Sequence, residues 1–303
     1  MEENSSFNSS DFKHIPVMAE EVITAIASMP EELKNKGIVI DTTLGGGGHS
    51  ELILEKFINM KVIGLDQDPF AREAASIRLD RFGDRIEIID ANFSDFRPAQ
   101  KVNFIIADLG VSSFQLDEPL RGFSIKKSGP IDMRMNPKAN ITASDLINNL
   151  SEKELADLIY EFGEERLSRQ ISRKIKAHIN NQGKFKDTQD LAYTIAGCYP
   201  KKARYGKIHP ATRTFQALRI AVNNELKVLS KLLNIAPEWL QPEGLLNIIS
   251  FHSLEDRLVK RSFVEDKRLQ RITKKPLLAT QKELEYNPRS RSAKYRIAKR
   301  IDI

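Results

Sequence analysis

Short apolar, β-branched runs that end on an acid alternate, early in the chain, with stretches whose apolar residues recur at helical spacing. The runs are Gly37-Ile-Val-Ile-Asp41, Lys61-Val-Ile-Gly-Leu-Asp66, Arg85-Ile-Glu-Ile-Ile-Asp90 and Val102-Asn-Phe-Ile-Ile-Ala-Asp108. Between them His49 to Phe57 and Phe70 to Leu79 read as helices, and Asp68-Pro69 supplies the cap and first turn of the second. An amphipathic helix with Pro16 near its start precedes the first run. Runs this apolar predict strands buried on both faces, hence a parallel sheet covered by helices. The order predicts a doubly wound, Rossmann-like α/β domain whose ligand sits at the carboxyl ends of the strands.

The period changes after about residue 140. Ala143–Leu150, Glu152–Phe162, Arg166–Asn180 and Asp187–Ala196 read as helices, rich in charge and poor in β-branched runs. Strand character returns at Gly244–Ser250 and again at Ala293–Ala298. A helical block that interrupts a sheet predicts a domain inserted between strands four and five. The expected division is a disordered leader over 1–12, a discontinuous sheet domain over 13–118 and 212–303, and a helical substrate domain over 119–211.

Composition narrows the class. With 303 residues, 41% hydrophobic and 29% charged, the chain has ample material for a core. A single cysteine, Cys198, excludes an intrachain disulfide and any multi-cysteine metal site. The five histidines lack the close pairing of a zinc helix, so no metal is expected. The polar, acidic N-terminus is not a secretory signal, and no apolar run approaches the roughly 18 residues of a membrane span. The expected setting is a reducing cytoplasm. Net charge is +6, yet Arg257 to Arg300 alone holds 15 basic and 4 acidic side chains, so the rest is acidic. A basic surplus confined to one end points to a polyanionic partner, against the plainer reading of a solvated charged face.

The candidate chemistry begins at the first strand–helix turn, Asp41-Thr-Thr-Leu-Gly-Gly-Gly-Gly-His-Ser50. Glycines there let backbone approach a ligand and present free N–H groups at a helix start. Three ligands fit such a loop: a triphosphate, a dinucleotide and S-adenosylmethionine. A triphosphate loop needs Gly-Lys-Ser/Thr, and this one ends Gly48-His49-Ser50. A dinucleotide loop counted from Gly45 and Gly47 needs its third glycine where Ser50 stands. Small residues alternating after a strand-ending acid (Asp41, Thr43, Gly45, Gly47) suit S-adenosylmethionine. Asp66, at the end of the second strand, is placed to accept hydrogen bonds from ribose hydroxyls, or else to cap a helix, a task for which Asp68 is better placed. Phe93 lies either against the cofactor's adenine or in the core.

Asp108 ends the fourth strand beside this cleft. An amine conjugated to a ring is a poor nucleophile, so an enzyme methylating it must align it, exclude water and accept its proton. Asp108 can hold such an amine or bind the cofactor's amino group; sequence leaves both open. Ser250-Phe-His252-Ser-Leu-Glu-Asp256 has the residue types of a hydrolase triad, but no Gly-x-Ser-x-Gly elbow accompanies it. Following the fifth strand, His252 and Asp256 are expected to contact substrate instead.

These and further motifs resemble the bacterial ribosomal RNA small-subunit methyltransferase H family, formerly called MraW. The resemblance runs through His14-Ile-Pro-Val, the glycine loop, Asp66-Gln-Asp-Pro69, Asp108-Leu-Gly-Val-Ser-Ser113, Gln115-Leu-Asp and Arg121-Gly-Phe-Ser. It continues through Gly129-Pro-Ile-Asp-Met-Arg-Met135, Gly163-Glu-Glu-Arg166, His209-Pro-Ala-Thr-Arg and Phe215-Gln-Ala-Leu-Arg-Ile220. It closes with Ser250-Phe-His-Ser-Leu-Glu-Asp-Arg257 and Asn287-Pro-Arg-Ser-Arg-Ser292, and so spans nearly the whole chain. Phe114 stands where the family usually has proline, and Ile131 where leucine is usual.

The resemblance implies a class I S-adenosylmethionine-dependent methyltransferase with a mostly parallel seven-stranded sheet and an inserted helical domain. It implies methylation of the N4 amine of a cytosine in the decoding region of small-subunit (16S) ribosomal RNA. It implies cofactor contacts at Gly47, Gly48, His49, Asp66, Phe93, Asp108 and Gln115. Arg121, Asp132, Arg134, His252 and Asp256 are the candidates for holding the splayed-out base, although Asp132 and Arg134 equally suit an ion pair bracing their own loop. The substrate is free RNA or an assembling or assembled subunit, and the protein a monomer or homodimer. A nicotinamide-dependent oxidoreductase and a non-catalytic RNA-binding assembly factor are the competing readings.

Overall fold

The computed structural model describes residues 16–204, 206 and 208–302; the expected leader lies outside them. Four strands fall where the pattern places them: β1 (Ile38–Asp41), β2 (Lys61–Asp66), β3 (Ile86–Asp90) and β4 (Val102–Asp108). β5 (Leu240–Ser250) starts four residues earlier than predicted, and β8 (Lys294–Arg300) runs two further. Two strands escaped the sequence reading, β6 (Leu269–Arg271) and β7 (Leu277–Leu278), each too short to set up an alternating pattern.

Among the described residues the sheet has the order β3-β2-β1-β4-β5-β8-β6, with β7 also paired to β8. β1 to β5 are parallel, while β8 runs antiparallel to β5, β6 and β7. Seven strands in this order, with one reversed near the edge, form the class I methyltransferase sheet; β7 is a two-residue addition. The strand order reverses at β1 and β4, and there the register aligns the strand ends. Asp66 pairs with Asp90, Asp41 with Gly64 and Ile106, and Asp108 with Ile249. The acids that close the strands therefore share one edge of the sheet.

β4 shows why both faces are apolar. Phe104 and Ile106 pack into one hydrophobic cluster, with Ile26, Met60 and Tyr295. Ile105 and Ala107 point the other way, into a cluster with Leu232, Trp239 and Phe263. Each large side chain so buried contributes about 1.5–3 kcal/mol relative to exposure.

The helical block follows β4. Its main helices span Ala143–Asn149, Glu152–Gly163, Ser168–Gln182 and Thr188–Ala196, within two residues of expectation. Ser151 and Glu154 form a reciprocal cap at the start of the second. The charged third helix still buries Ser168, Ile171, Ser172 and Ile175, one narrow stripe at helical spacing. These helices enclose a third cluster containing Leu155, Ile159, Ile171, Leu191 and Ile195. Phe215, Leu218 and Val222 of the helix Thr212–Asn223 belong to the same cluster, although the expected boundary grouped that helix with the sheet. Asn224, left-handed at φ 50°, ends that helix and turns the chain into Glu225–Trp239, which lies on the sheet. No helix among the described residues is long and apolar enough to cross a membrane.

Candidate functional site

A cleft of about 400 Å³ opens where the aligned strand ends meet the helical block. One wall is the glycine loop. Gly45 and Gly47 have φ of 50° and 79°, and a Cβ on Gly47 would lie 2.9 Å from Leu79 Cδ1. Glycine is therefore required there both by conformation and by close packing. Asp66 fastens the loop: Oδ2 accepts the Gly45 N–H at 2.8 Å and Oδ1 the Asp68 N–H at 2.9 Å. Asp41 braces it from below, accepting from Ser50 Oγ at 2.8 Å and Thr43 N–H at 3.2 Å. Burial pushes both carboxyls up to about 6, against the pull of those hydrogen bonds.

His49 follows the loop and is buried, with Nε2 2.8 Å from the Val17 carbonyl. Nε2 must donate to that oxygen, so Nδ1 is the unprotonated nitrogen, 3.8 Å from Asp108 Oδ2. Burial lowers the imidazole to about 4, although the Val17 carbonyl opposes the shift, so the ring is neutral. Asp108 is fixed at its backbone, where its N–H donates to Thr43 Oγ1 at 2.7 Å. Its Oδ1 is buried and, among the described residues, has no hydrogen-bond partner. Burial first, then the charges of Asp41, Glu255 and Glu283, push its carboxyl well above the ordinary range.

The far wall is Gln115, which with Ser112 forms a reciprocal helix cap and donates from Nε2 to Asp68 Oδ2 at 2.9 Å. Phe93 packs partly against the second core cluster and shows the rest of its ring to the cleft. Of the seven expected cofactor residues, Gly48, His49, Asp66, Phe93, Asp108 and Gln115 line the cleft, and Gly47 shapes the loop from behind.

The five expected base-holding residues do not line it. Arg121 is buried: Nη1 meets Asp68 Oδ2 at 2.6 Å, and Nη2 donates to the carbonyls of Arg134 and Met135 at 2.9 Å. Arg134 and Asp132 make a two-pronged ion pair at 2.8 and 2.6 Å, with Arg134 Nη1 on the Ala139 carbonyl, which realises the loop-bracing alternative. Asp256 is held by Arg296 at 2.6 Å and Lys294 at 3.4 Å. His252 caps the helix Ser253–Glu265 from its buried start. In each case the functional group is engaged by the protein's own charges or backbone, a partnership that residue spacing suggests only for Asp132 and Arg134.

The cleft instead takes Arg219 and Asn223 from the helix Thr212–Asn223, Glu225 just beyond it, and Phe251 and Glu255 after β5. Asn223 accepts the Met135 N–H at 2.7 Å and donates to the Met133 carbonyl at 2.8 Å, tying that helix to the loop after β4. Glu255 lay inside a motif already singled out. Its signal was the reciprocal cap, a polar residue followed three positions later by glutamate.

The chain matches the sequence profile of the MraW methylase family over residues 11–301. A protein of Prochlorococcus marinus strain MIT 9515 is 60% identical over 291 residues, covering 96% of this chain and 97% of its own. Another from strain MIT 9303 is 59% identical over 299 residues, covering 98% of this chain and 96% of its own. Both are named ribosomal RNA small subunit methyltransferase H. A solved rRNA methylase from Streptococcus thermophilus aligns with 95% of this chain and 98% of its own at 12% identity and a TM-score of 0.41, and carries no weight beside them.

Proposed function

Because the chain belongs to the MraW methylase family, we propose that it is an S-adenosylmethionine-dependent methyltransferase of small-subunit ribosomal RNA, acting on the N4 amine of a cytosine in the decoding region. The observation that carries the reading is the cleft itself: a glycine loop clamped by Asp66, in a cleft also lined by Asp108, one of whose buried oxygens has no partner among the described residues. The donor set fits the cofactor. Gly47 and Gly48 permit close approach of its carboxylate end, Asp66 accepts from the ribose hydroxyls, and Phe93 lies along the adenine. Gln115 and His49 complete the walls. When bound, the cofactor supplies a methyl group already activated on a sulfonium.

The protein's own part is alignment and exclusion of water. Burial biases the Asp108 carboxyl toward its protonated form, which offers an O–H donor and an acceptor to groups entering the cleft, where a buried charge would be costly. The helical unit covers the open side, and we extend it through Asn223 because Phe215, Leu218 and Val222 share its core. Lys267, Lys274 and Lys275 are exposed and, among the described residues, make no ion pair, whereas Arg257, Arg268, Arg289 and Arg296 are paired within the chain. The three lysines are thus among the basic groups open to RNA phosphates. The work is done in the cytoplasm, on RNA within a ribosomal subunit, by a monomer or a homodimer. Tritium transfer from labelled S-adenosylmethionine to small subunits, with the methylated nucleotide mapped by mass spectrometry, tests the reading. Label on a cytosine supports it; an unlabelled RNA ends it.

A further inference from the structure

We propose that Glu255 accepts the proton of the target amine, with His252 and the Arg219–Glu225 pair as positioning residues behind it. The inference rests on the methyltransferase reading of the cleft.

Glu255 is buried but borders the cleft that Asp108 also lines. Its Oε2 accepts the backbone N–H of Phe251 at 2.8 Å and of His252 at 3.3 Å. Its Oε1 lies 3.1 Å from His252 Nε2. Glu225 also approaches that nitrogen, with its Oε2 4.0 Å away. Arg219 grips Glu225 with both prongs, at 2.7 and 2.8 Å. Ligand atoms of Glu225, His252 and Glu255 all lie within 4.8 Å of one another, a spacing that would also suit a divalent cation. The ring argues otherwise. His252 Nδ1 accepts the Glu255 N–H at 3.4 Å, so the ring hydrogen sits on Nε2 and no lone pair is left there for a metal. That Nε2–H is buried without a well-aligned hydrogen bond, between two carboxylates.

The consequence is a division of labour between two acids in one cleft. Burial alone would raise Glu255, but His252, Arg219 and the Phe251 N–H together hold its carboxyl below the ordinary value. Asp108 is pushed the other way, partly by the charge on Glu255. Environments that drive two carboxyls apart favour one as proton acceptor and bias the other toward its protonated form. The amine needs an acceptor. As its nitrogen lone pair forms the new bond to the methyl carbon, the carbon–sulfur pair remains on sulfur as a neutral thioether. The nitrogen then releases one proton to the Glu255 carboxylate, which passes it to water.

The test uses the full chain, S-adenosylhomocysteine calorimetry and single-turnover methyl transfer to small subunits. Glu255→Gln keeps an oxygen for the two backbone N–H groups. It is expected to bind S-adenosylhomocysteine within threefold of wild type and to transfer methyl about 100-fold more slowly. Transfer within threefold of wild type, or a tenfold loss of S-adenosylhomocysteine affinity, overturns the assignment. Should that variant not fold, Glu255→Asp keeps the charge but withdraws it by one methylene; a rate above half of wild type overturns the proposal equally. His252→Asn retains a helix-capping side chain but lacks the Nε2–H. It is expected to lower kcat about tenfold with subunit KM and S-adenosylhomocysteine affinity within threefold, and an unchanged kcat removes His252 from the positioning role. Wild type that binds S-adenosylhomocysteine but labels no RNA ends the parent reading, a failure seen without any variant.

Discussion

The carboxylate of Asp66 accepts the backbone N–H of Gly45 at 2.8 Å, across 21 positions of sequence. One side chain thus closes the second strand, sets the shape of the glycine loop and faces the cleft. Its carboxyl, raised to about 6 by burial, must be ionised to accept from ribose hydroxyls as well as from two amides. S-adenosylhomocysteine affinity is therefore expected to fall as pH drops through about 6. Asp66→Asn should bind weakly at pH 8 and lose most of that dependence. Calorimetry between pH 5 and 8 checks both, and a flat wild-type profile would remove Asp66 from the ribose site.

Asp108 has the opposite character. Burial pushes its carboxyl well above the ordinary range, toward the protonated form that Asp108→Asn imitates in shape and charge. Thermal stability is expected to change little, while turnover falls by about 100-fold, the usual size of a misplaced proton-handling group. Unchanged labelling kinetics would take Asp108 out of the chemistry.

Arg121 was expected at the substrate and is found inside the protein, on Asp68 at 2.6 Å. Arg121→Met leaves the fully buried Asp68 charge without its counter-ion, which typically costs about 3–5 kcal/mol. Urea unfolding should show that loss, with rRNA affinity of the folded fraction unaltered. Weakened RNA binding at full stability would restore Arg121 to the substrate site.

His49 makes stability depend on pH in a defined direction. Its imidazole titrates near 6.5 when unfolded and near 4 when folded, so between these values the unfolded chain holds the extra proton. The contribution is complete above pH 6.5 and is lost as pH falls toward 4, with an upper size of about 3 kcal/mol. Relative to His49→Gln, wild type should lose about 2–3 kcal/mol between pH 7 and 4.5. Equal losses in the two proteins would show that the ring is not held neutral by burial.

Lys267, Lys274 and Lys275 belong to the segment around β6 and β7, and all three are exposed, without an ion pair among the described residues. Replacing all three by glutamine should weaken RNA binding at low salt and lower the slope of log affinity against log salt by about 2. Nitrocellulose filter binding across a salt series measures that slope. An unaltered slope would leave these lysines as solvated surface.

Much of this protein was legible in one dimension. Strand runs ending on acids, capping residues and helical spacing are local signals, and β2 and β4 fell on their predicted residues. The gathering of acids at one edge was legible too, because in a parallel sheet the strand ends must share an edge, which brings Asp41, Asp66 and Asp108 together whatever the details. What sequence did not show was which charged side chains the protein keeps for itself. Arg121 and Asp256 carry the residue types of a substrate site, yet their partners are Asp68 and Arg296, chosen by packing. The far side of the cleft was hidden for the same reason. Arg219, Glu225 and Glu255 come together only because Asn224 breaks a helix and β5 ends opposite it. Propensity and periodicity act over a few residues, and so they determined the elements. The company each charge keeps depends on contacts across the whole chain, and only the folded structure decided it.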